Sequence, residues 1–180
     1  GTVRKSAGAG RTSFDGAFQN SGTLDLLSGR LYLSGTVLQS AGTARLNGGH
    51  LTCSSGLTMQ GGTLAGAGIV TGNVNNTGGI VSPGSSAGQL TIAGAYAQGA
   101  AGALNIELGG LTPGTEYDQL VVLNAATLNG MLTVTWIGPY VPSPGDTFPI
   151  LTCASRSGAF ATTNVPTASG VRMWAAASTT

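Results

Sequence analysis

Apolar residues recur along residues 22–92 with a beat of six or seven. Leu24, Leu31, Val37, Ala44, Leu51, Leu57, Leu64, Ile69, Val74 and Ile80 follow one another at intervals of 7, 6, 7, 7, 6, 7, 5, 5 and 6. Several carry a second apolar residue two places on: Leu24 with Leu26, Leu31 with Leu33, Ala44 with Leu46, Leu57 with Met59. Alternate side chains of an extended chain point to one face, so these pairs predict short strands with one face turned inward. Gly, Asn and Ser between beats supply the turns, and Gly-Thr stands before the beat at Gly22-Thr23, Gly35-Thr36, Gly42-Thr43 and Gly62-Thr63. A hairpin meander would need longer strands and turns at roughly 8–12-residue spacing. Three beats instead make a lap of about 19 residues, which fits a parallel β-solenoid whose coils stack at ~4.8 Å around one apolar column. The fold class expected is therefore all-β.

Residues 1–21 read as an incomplete first turn anchored by Val3, Phe14 and Phe18, with the two aromatics placed to cover the open end of the column. The beat runs through residue 98, shortening near Gly68-Ile69-Val70 and Gly72-Asn73-Val74. The rhythm breaks at Val81-Ser82-Pro83-Gly84-Ser85-Ser86-Ala87-Gly88, a turn followed by the alternating strand Gln89-Leu90-Thr91-Ile92. From residue 99 the strands lengthen, which divides the chain into coils over 1–98 and a β-rich capping or assembly segment over 99–180. Ala103–Leu108 alternates, Asp118–Leu123 is apolar on both faces and so expected in the interior, and Leu128 with Met131–Trp136 flank Asn129-Gly130, a dipeptide of two-residue hairpins. Further strands are expected at Thr147–Leu151, Ala159–Ala161 and Val171–Trp174. No sustained 3.6-residue period appears, so almost no helix is expected.

The chain has 180 residues, 31 of them Gly, with 7% charged residues, 41% hydrophobic residues and a formal charge of +1. Disorder goes with low hydrophobicity and high net charge, so this composition points to a folded β protein coated with hydroxyls and amides. Near-neutral charge argues against nucleic acid or an anionic membrane as partner, and the cluster Arg4, Lys5, Arg11 reads as a solvated end. No apolar run approaches the ~20 residues that span a bilayer, so no membrane insertion is expected. The opening Gly1-Thr2-Val3 enters mid-pattern, as a mature product or an excised fragment would.

Gly78-Gly79-Ile80-Val81-Ser82-Pro83-Gly84-Ser85-Ser86-Ala87-Gly88-Gln89-Leu90-Thr91-Ile92 resembles the passenger-associated repeat of bacterial autotransporters. Tyr117–Val122, Ala126–Leu132 and Gly145–Leu151 are similar to the segments that follow that repeat in large bacterial surface proteins, and Gly1–Ser6 and Asn20–Leu24 to their tandem coils. The resemblance implies a right-handed parallel β-helix at the bacterial cell surface with a C-terminal capping segment. It carries no common catalytic set.

Chemistry is sparse. His50 is the single histidine, and the carboxylates are Asp15, Asp25, Glu107, Glu116, Asp118 and Asp146. Glu116 and Asp118 are the closest pair, but acid–base cleavage of a glycoside or a hard-cation site needs several oxygens converging on one place. Gly66-x-Gly68 is a coil turn, since no helix follows it. Cys53 shares the inward face with Leu51 and reads as a small buried residue; a Cys53–Cys153 disulfide is the alternative. Among aromatics, Tyr32 alternates outward, and Tyr32 and Tyr140 are the candidates for stacking on a surface ligand. The expectation is a non-catalytic extracellular structural or adhesive module: a rigid stalk without cofactor, associating with further copies or with cell-surface glycans. A carbohydrate-binding or carbohydrate-active β-helix, lyase or hydrolase, is the alternative.

Overall fold

A strand of three or four residues does not stand alone, and each one here finds its partners one lap away along the chain. The computed structural model describes residues 1–166 and the backbone of residues 172–177. All regular structure in them is β. In chain order the strands are β1 (Thr2–Lys5), β2 (Arg11–Phe14), β3 (Phe18–Asn20), β4 (Thr23–Leu26), β5 (Arg30–Leu33), β6 (Val37–Gln39) and β7 (Thr43–Cys53). They continue as β8 (Leu57–Met59), β9 (Thr63–Thr71), β10 (Val74–Asn76), β11 (Ile80–Pro83), β12 (Gln89–Ala93), β13 (Tyr96–Gln98) and β14 (Ala103–Leu108). The rest are β15 (Gln119–Val122), β16 (Ala125–Leu128), β17 (Met131–Trp136), β18 (Thr147–Cys153), β19 (Ser155–Gly158), β20 (Thr162–Asn164) and β21 (Arg172–Ala177).

Every strand pair is parallel, and the strands form three ladders in two sheets. The first runs β1-β4-β7-β9-β11-β14-β17-β20, the second β2-β5-β7-β9-β12-β15-β18-β21. The long strands β7 and β9 belong to both, their N-terminal halves to the first ladder and their C-terminal halves to the second. This joins the two ladders into one 14-stranded sheet. The third ladder, β3-β6-β8-β10-β13-β16-β19, is the separate seven-stranded sheet. The chain visits the three in turn, a solenoid-like progression. The ladders run across residue 99 without interruption, since β14 pairs with β11 behind it and β17 ahead.

Inward positions of all three ladders form one apolar cluster, from Leu24 and Leu26 to Leu151 and Cys153. Leu24, Leu31, Val37, Ala44, Leu51, Leu57, Leu64 and Val74 are buried as their beat predicts. Ile69 and Ile80 are not: both are exposed, at 40% and 37%, and Val70 and Val81 take the inward places. Each of those beats falls on two adjacent apolar residues, and the ladder pairs Leu51 with Val70 and Leu64 with Val81. Asp118–Leu123 is largely interior, as expected: Asp118, Gln119, Leu120 and Val122 are buried, and the departure is Leu123, 56% exposed where the strand has ended. Asn129-Gly130 makes no hairpin, because β16 and β17 belong to different ladders and each pairs in parallel. The segment expected as a strand at 159–161 is the connection between β19 and β20. At the first coil Phe18 packs on the core, and Phe14 meets it edge-on at 5.5 Å while staying 47% exposed. Val171 lies outside the described residues, as does the side chain of Trp174.

The corner from the third ladder to the first explains three of the four Gly-Thr words, Gly22-Thr23, Gly42-Thr43 and Gly62-Thr63; Gly35-Thr36 lies at the corner from the second ladder to the third. The amide of the residue after each corner glycine donates to a glycine carbonyl one coil earlier: Thr23 to Gly1, Thr43 to Gly22, Thr63 to Gly42, Ile80 to Gly62, Ala103 to Gly79, Met131 to Gly102. At Gly42 φ is +66°, and a Cβ there would run into the Gly22 carbonyl oxygen. Glycine is needed for close approach as well as for the left-handed backbone.

Inside the same corner stands a column of amides, which binary patterning did not reveal. Asn20 pairs with Gln39, Gln39 with Met59, Met59 with Asn76 and Asn76 with Gln98. The four amide side chains are buried. The Asn76 Oδ1 accepts the Gly79 N–H at 2.7 Å, and the Gln98 Nε2 donates to the carbonyls of Gly102, Asn129 and Met131 at 3.2, 2.7 and 3.0 Å. The Tyr96 hydroxyl donates to Gln98 Oε1 at 2.7 Å. Among the described residues no buried side-chain nitrogen or oxygen lacks a partner. Replacing Gln98 by Leu removes these partners at once. At about 1–3 kcal/mol for a buried group left unsatisfied, Q98L is expected to lower the denaturant midpoint far more than Gln19→Leu on the outer face of β3.

Candidate functional site

The residues singled out by sequence do not converge. Tyr32 points outward from β5, but the Arg11 guanidinium lies over its ring at 3.7 Å from the centroid, so one face is already covered. Tyr140 is half-buried against the core. Its phenol is held above the ordinary range by partial burial and then by the carboxylates of Asp146 and Glu116. The two tyrosines stand on opposite parts of the stack, β5 near its start and the connection after β17, and form no common platform.

Cys53 and Cys153 both face inward on the second ladder, in β7 and β18. Four rungs separate these strands (β7, β9, β12, β15, β18), about 19 Å at ~4.8 Å per rung. A disulfide needs Cα atoms within about 7 Å, so the two are not bonded to each other. Burial pushes the Cys53 thiol up to about 12, which keeps it in the unreactive thiol form.

His50 lies within β7 rather than at a turn. Its Nε2 is 2.7 Å from the Thr71 hydroxyl and its Nδ1 3.3 Å from the Arg30 guanidinium. Desolvation, then the Arg30 charge, lower its pKa. Glu116 and Asp118 do not share a site. The Glu116 carboxylate accepts the backbone N–H of Leu111 and Thr112 at 3.0 and 2.9 Å, closing the turn after β14. Bonds from Thr112 and Leu111 hold it below the usual carboxylate range. Among the described residues no group of three or more His, Cys, Asp or Glu is close enough to hold a metal ion.

Asp118 is the unexpected residue. It is fully buried, and its two oxygens accept the N–H of Gly88 and of Glu107, each at 2.9 Å. It thereby ties the end of the Ser82–Gly88 loop to β14. Desolvation, opposed by its backbone bonds and reinforced by the nearby Glu107 carboxylate, raises it to about 8. Where β7 and β9 bend continuously from the first ladder to the second, β11 stops at Pro83 and the loop bulges outward before β12. Within it Ser86 has φ 110°, a conformation that side chains rarely adopt. The loop is legible in the sequence and its anchor is not, because Asp118 and Gly88 are far apart along the chain.

The loop walls a groove on the outer face of the first ladder. Thr43, Arg45, Thr63, Ala65, Ser82, Gly84, Ser85, Ser86 and Glu107 line a cavity of about 460 Å³. A second, of about 230 Å³, is lined by Thr23, Asp25, Thr43 and Arg45 and so adjoins the first. Asp25 is engaged by Arg4 at 3.4 Å and by the Asn47 amide at 3.5 Å. The guanidinium of Arg45 has no hydrogen-bond or ion-pair partner among the described residues.

No family model matches the chain, and no curated protein or solved structure matches it either.

Proposed function

We propose that the chain is part of a right-handed parallel β-helix of the autotransporter-passenger kind, working outside the cell as a rigid structural or adhesive stalk. The observation that supports this most is the unbroken run of three parallel ladders around one apolar cluster, eight strands deep along the first. Parallel crossovers within one sheet are right-handed in nearly all cases, which supports the right hand. Among the described residues the titratable side chains are scattered over many strands and turns, with no group of three or more His, Cys, Asp or Glu drawn together. Stiffness follows from the stack: bending it requires opening backbone bonds on all three ladders together. The described residues after 99 extend the stack with longer connections, and 99–180 is read as a segment that caps the helix or joins it to another copy. Self-association through edge strands or stacked ends is part of this reading, since an end coil offers unpaired backbone groups.

Small-angle scattering and negative-stain microscopy of the purified chain test it. The expected particle is elongated along the stack, about 34 Å for seven steps of ~4.8 Å, with end-to-end or edge-to-edge species growing with concentration. An isotropic particle sinks the stalk, and rods that stay monomeric at every concentration sink the assembly.

A further inference from the structure

The groove on the first ladder is a repeated polar surface. Its outward positions fall in register: Thr2, Thr23, Thr43 and Thr63 form one line, which the exposed Ile80 ends, and Arg4, Asp25, Arg45, Ala65 and Ser82 the next. Hydroxyls therefore recur along the axis at the rung spacing of ~4.8 Å. Thr43 and Arg45 line both cavities, so the two volumes form one track crossing successive coils. One end of the track is closed by Ser85 and Ser86, on the loop that Asp118 anchors, with the Glu107 carboxylate beside them.

The lining decides which ligand fits. A polyphosphate or other polyanion needs several cations, and this track offers Arg45 between Asp25 and Glu107. An apolar ligand finds only the Ala65 methyl in the cavity lining, with Ile80 outside it. A peptide seeking to add a strand finds no free edge, because β4, β7, β9 and β11 are each paired on both sides. What remains is a chain rich in groups that both donate and accept hydrogen bonds and that carry no net charge. We infer that this track binds a neutral oligosaccharide lying along the stack, with Arg45 donating to its oxygens, Glu107 accepting from its hydroxyls and the threonine line reading successive units.

The site is independent of the stalk reading: a stalk with or without a bound glycan has the same shape. Titration of the intact chain with malto-, manno- and N-acetylchito-oligosaccharides, and with oligogalacturonate as the charged comparison, followed by NMR shifts or calorimetry, tests it. The expected result is saturable binding of at least one of these, weakened about tenfold by Arg45→Ala, the loss of one charge-assisted bond. Thr63→Val, which keeps the shape and removes the hydroxyl, weakens it as well. Thr58→Val on the third ladder leaves it unchanged, and thermal melts of all three variants match the parent. The inference is overturned by no saturation with any neutral sugar, by binding that survives R45A and T63V, or by binding of oligogalacturonate alone. Loss through Tyr32→Ala or Tyr140→Ala with R45A silent moves the site elsewhere and equally overturns it.

Discussion

Leu64→Asp is expected to abolish the cooperative unfolding transition and leave the chain largely insoluble, whereas Thr63→Asp, one residue earlier, stays within about 0.5 kcal/mol of the parent, as outer-surface changes usually do. Leu64 is wholly buried, and it sits in β9, one of the two strands that belong to both ladders of the larger sheet. Removing a buried leucine costs about 2–5 kcal/mol. Leaving a carboxylate in its place, with no cation among the apolar side chains around it, costs several kcal/mol more. Together these approach the whole stability of an ordinary domain, about 5–15 kcal/mol. Circular dichroism melts of the two variants decide the matter. Equal losses would mean that alternation in β9 does not separate an inner from an outer face.

The second large effect lies in pH. Asp118 stands at about 8 in the fold against an ordinary 3.8. Below the lower value the acid is protonated whether the chain is folded or not, and nothing is lost. As pH rises past it, the unfolded chain ionises while the fold holds the proton, so stability falls, and the decline levels off once pH passes about 8. The parent is therefore expected to melt at progressively lower temperature between about pH 4 and pH 8. Asp118→Asn removes that slope. Its amide oxygen still accepts one N–H, but its NH₂ faces the other donor, so D118N starts below the parent at pH 4 by about 1–3 kcal/mol and the two curves approach each other as pH increases. Glu107, the charged neighbour, adds to the slope in the same direction, so Glu107→Gln should shallow it without removing it. A parent melting temperature that rises over this window would show that Asp118 is ionised in the fold.

Much of the architecture was legible because the inner face of a short strand repeats a simple rule. Over residues 22–64 each lap offers an apolar residue, a second one two places on, and a glycine before them, and these words survive unchanged into the ladders. Reading failed where two apolar residues stood side by side. Ile69-Val70 and Ile80-Val81 fit the beat equally well, and only hydrogen bonding to the previous coil chooses the valine. It failed again at Asn129-Gly130, since a residue with φ +63° suits a hairpin and a solenoid corner alike. Asn20, Gln39, Asn76 and Gln98 escaped notice because an inward amide contradicts the apolar-in rule, although each closes an i, i+2 pair with Phe18, Val37, Val74 or Tyr96. The groove was less legible still. Its residues come from separate laps, and nothing local marks Arg45, Ser82 and Glu107 as neighbours.

The laps differ greatly in length while the rungs stay in step. One closes between Leu64 and Val81, another, nearly twice as long, between Leu132 and Thr163. The surplus is extruded sideways, as in the stretch 137–146, where Val141 is 69% exposed and Gly138 and Gly145 have open space around them. Such a scaffold separates growth from architecture: foreign segments spliced into these lateral excursions would be displayed like pennants on a mast, and sequence drift there could remake the surface while leaving the mast untouched.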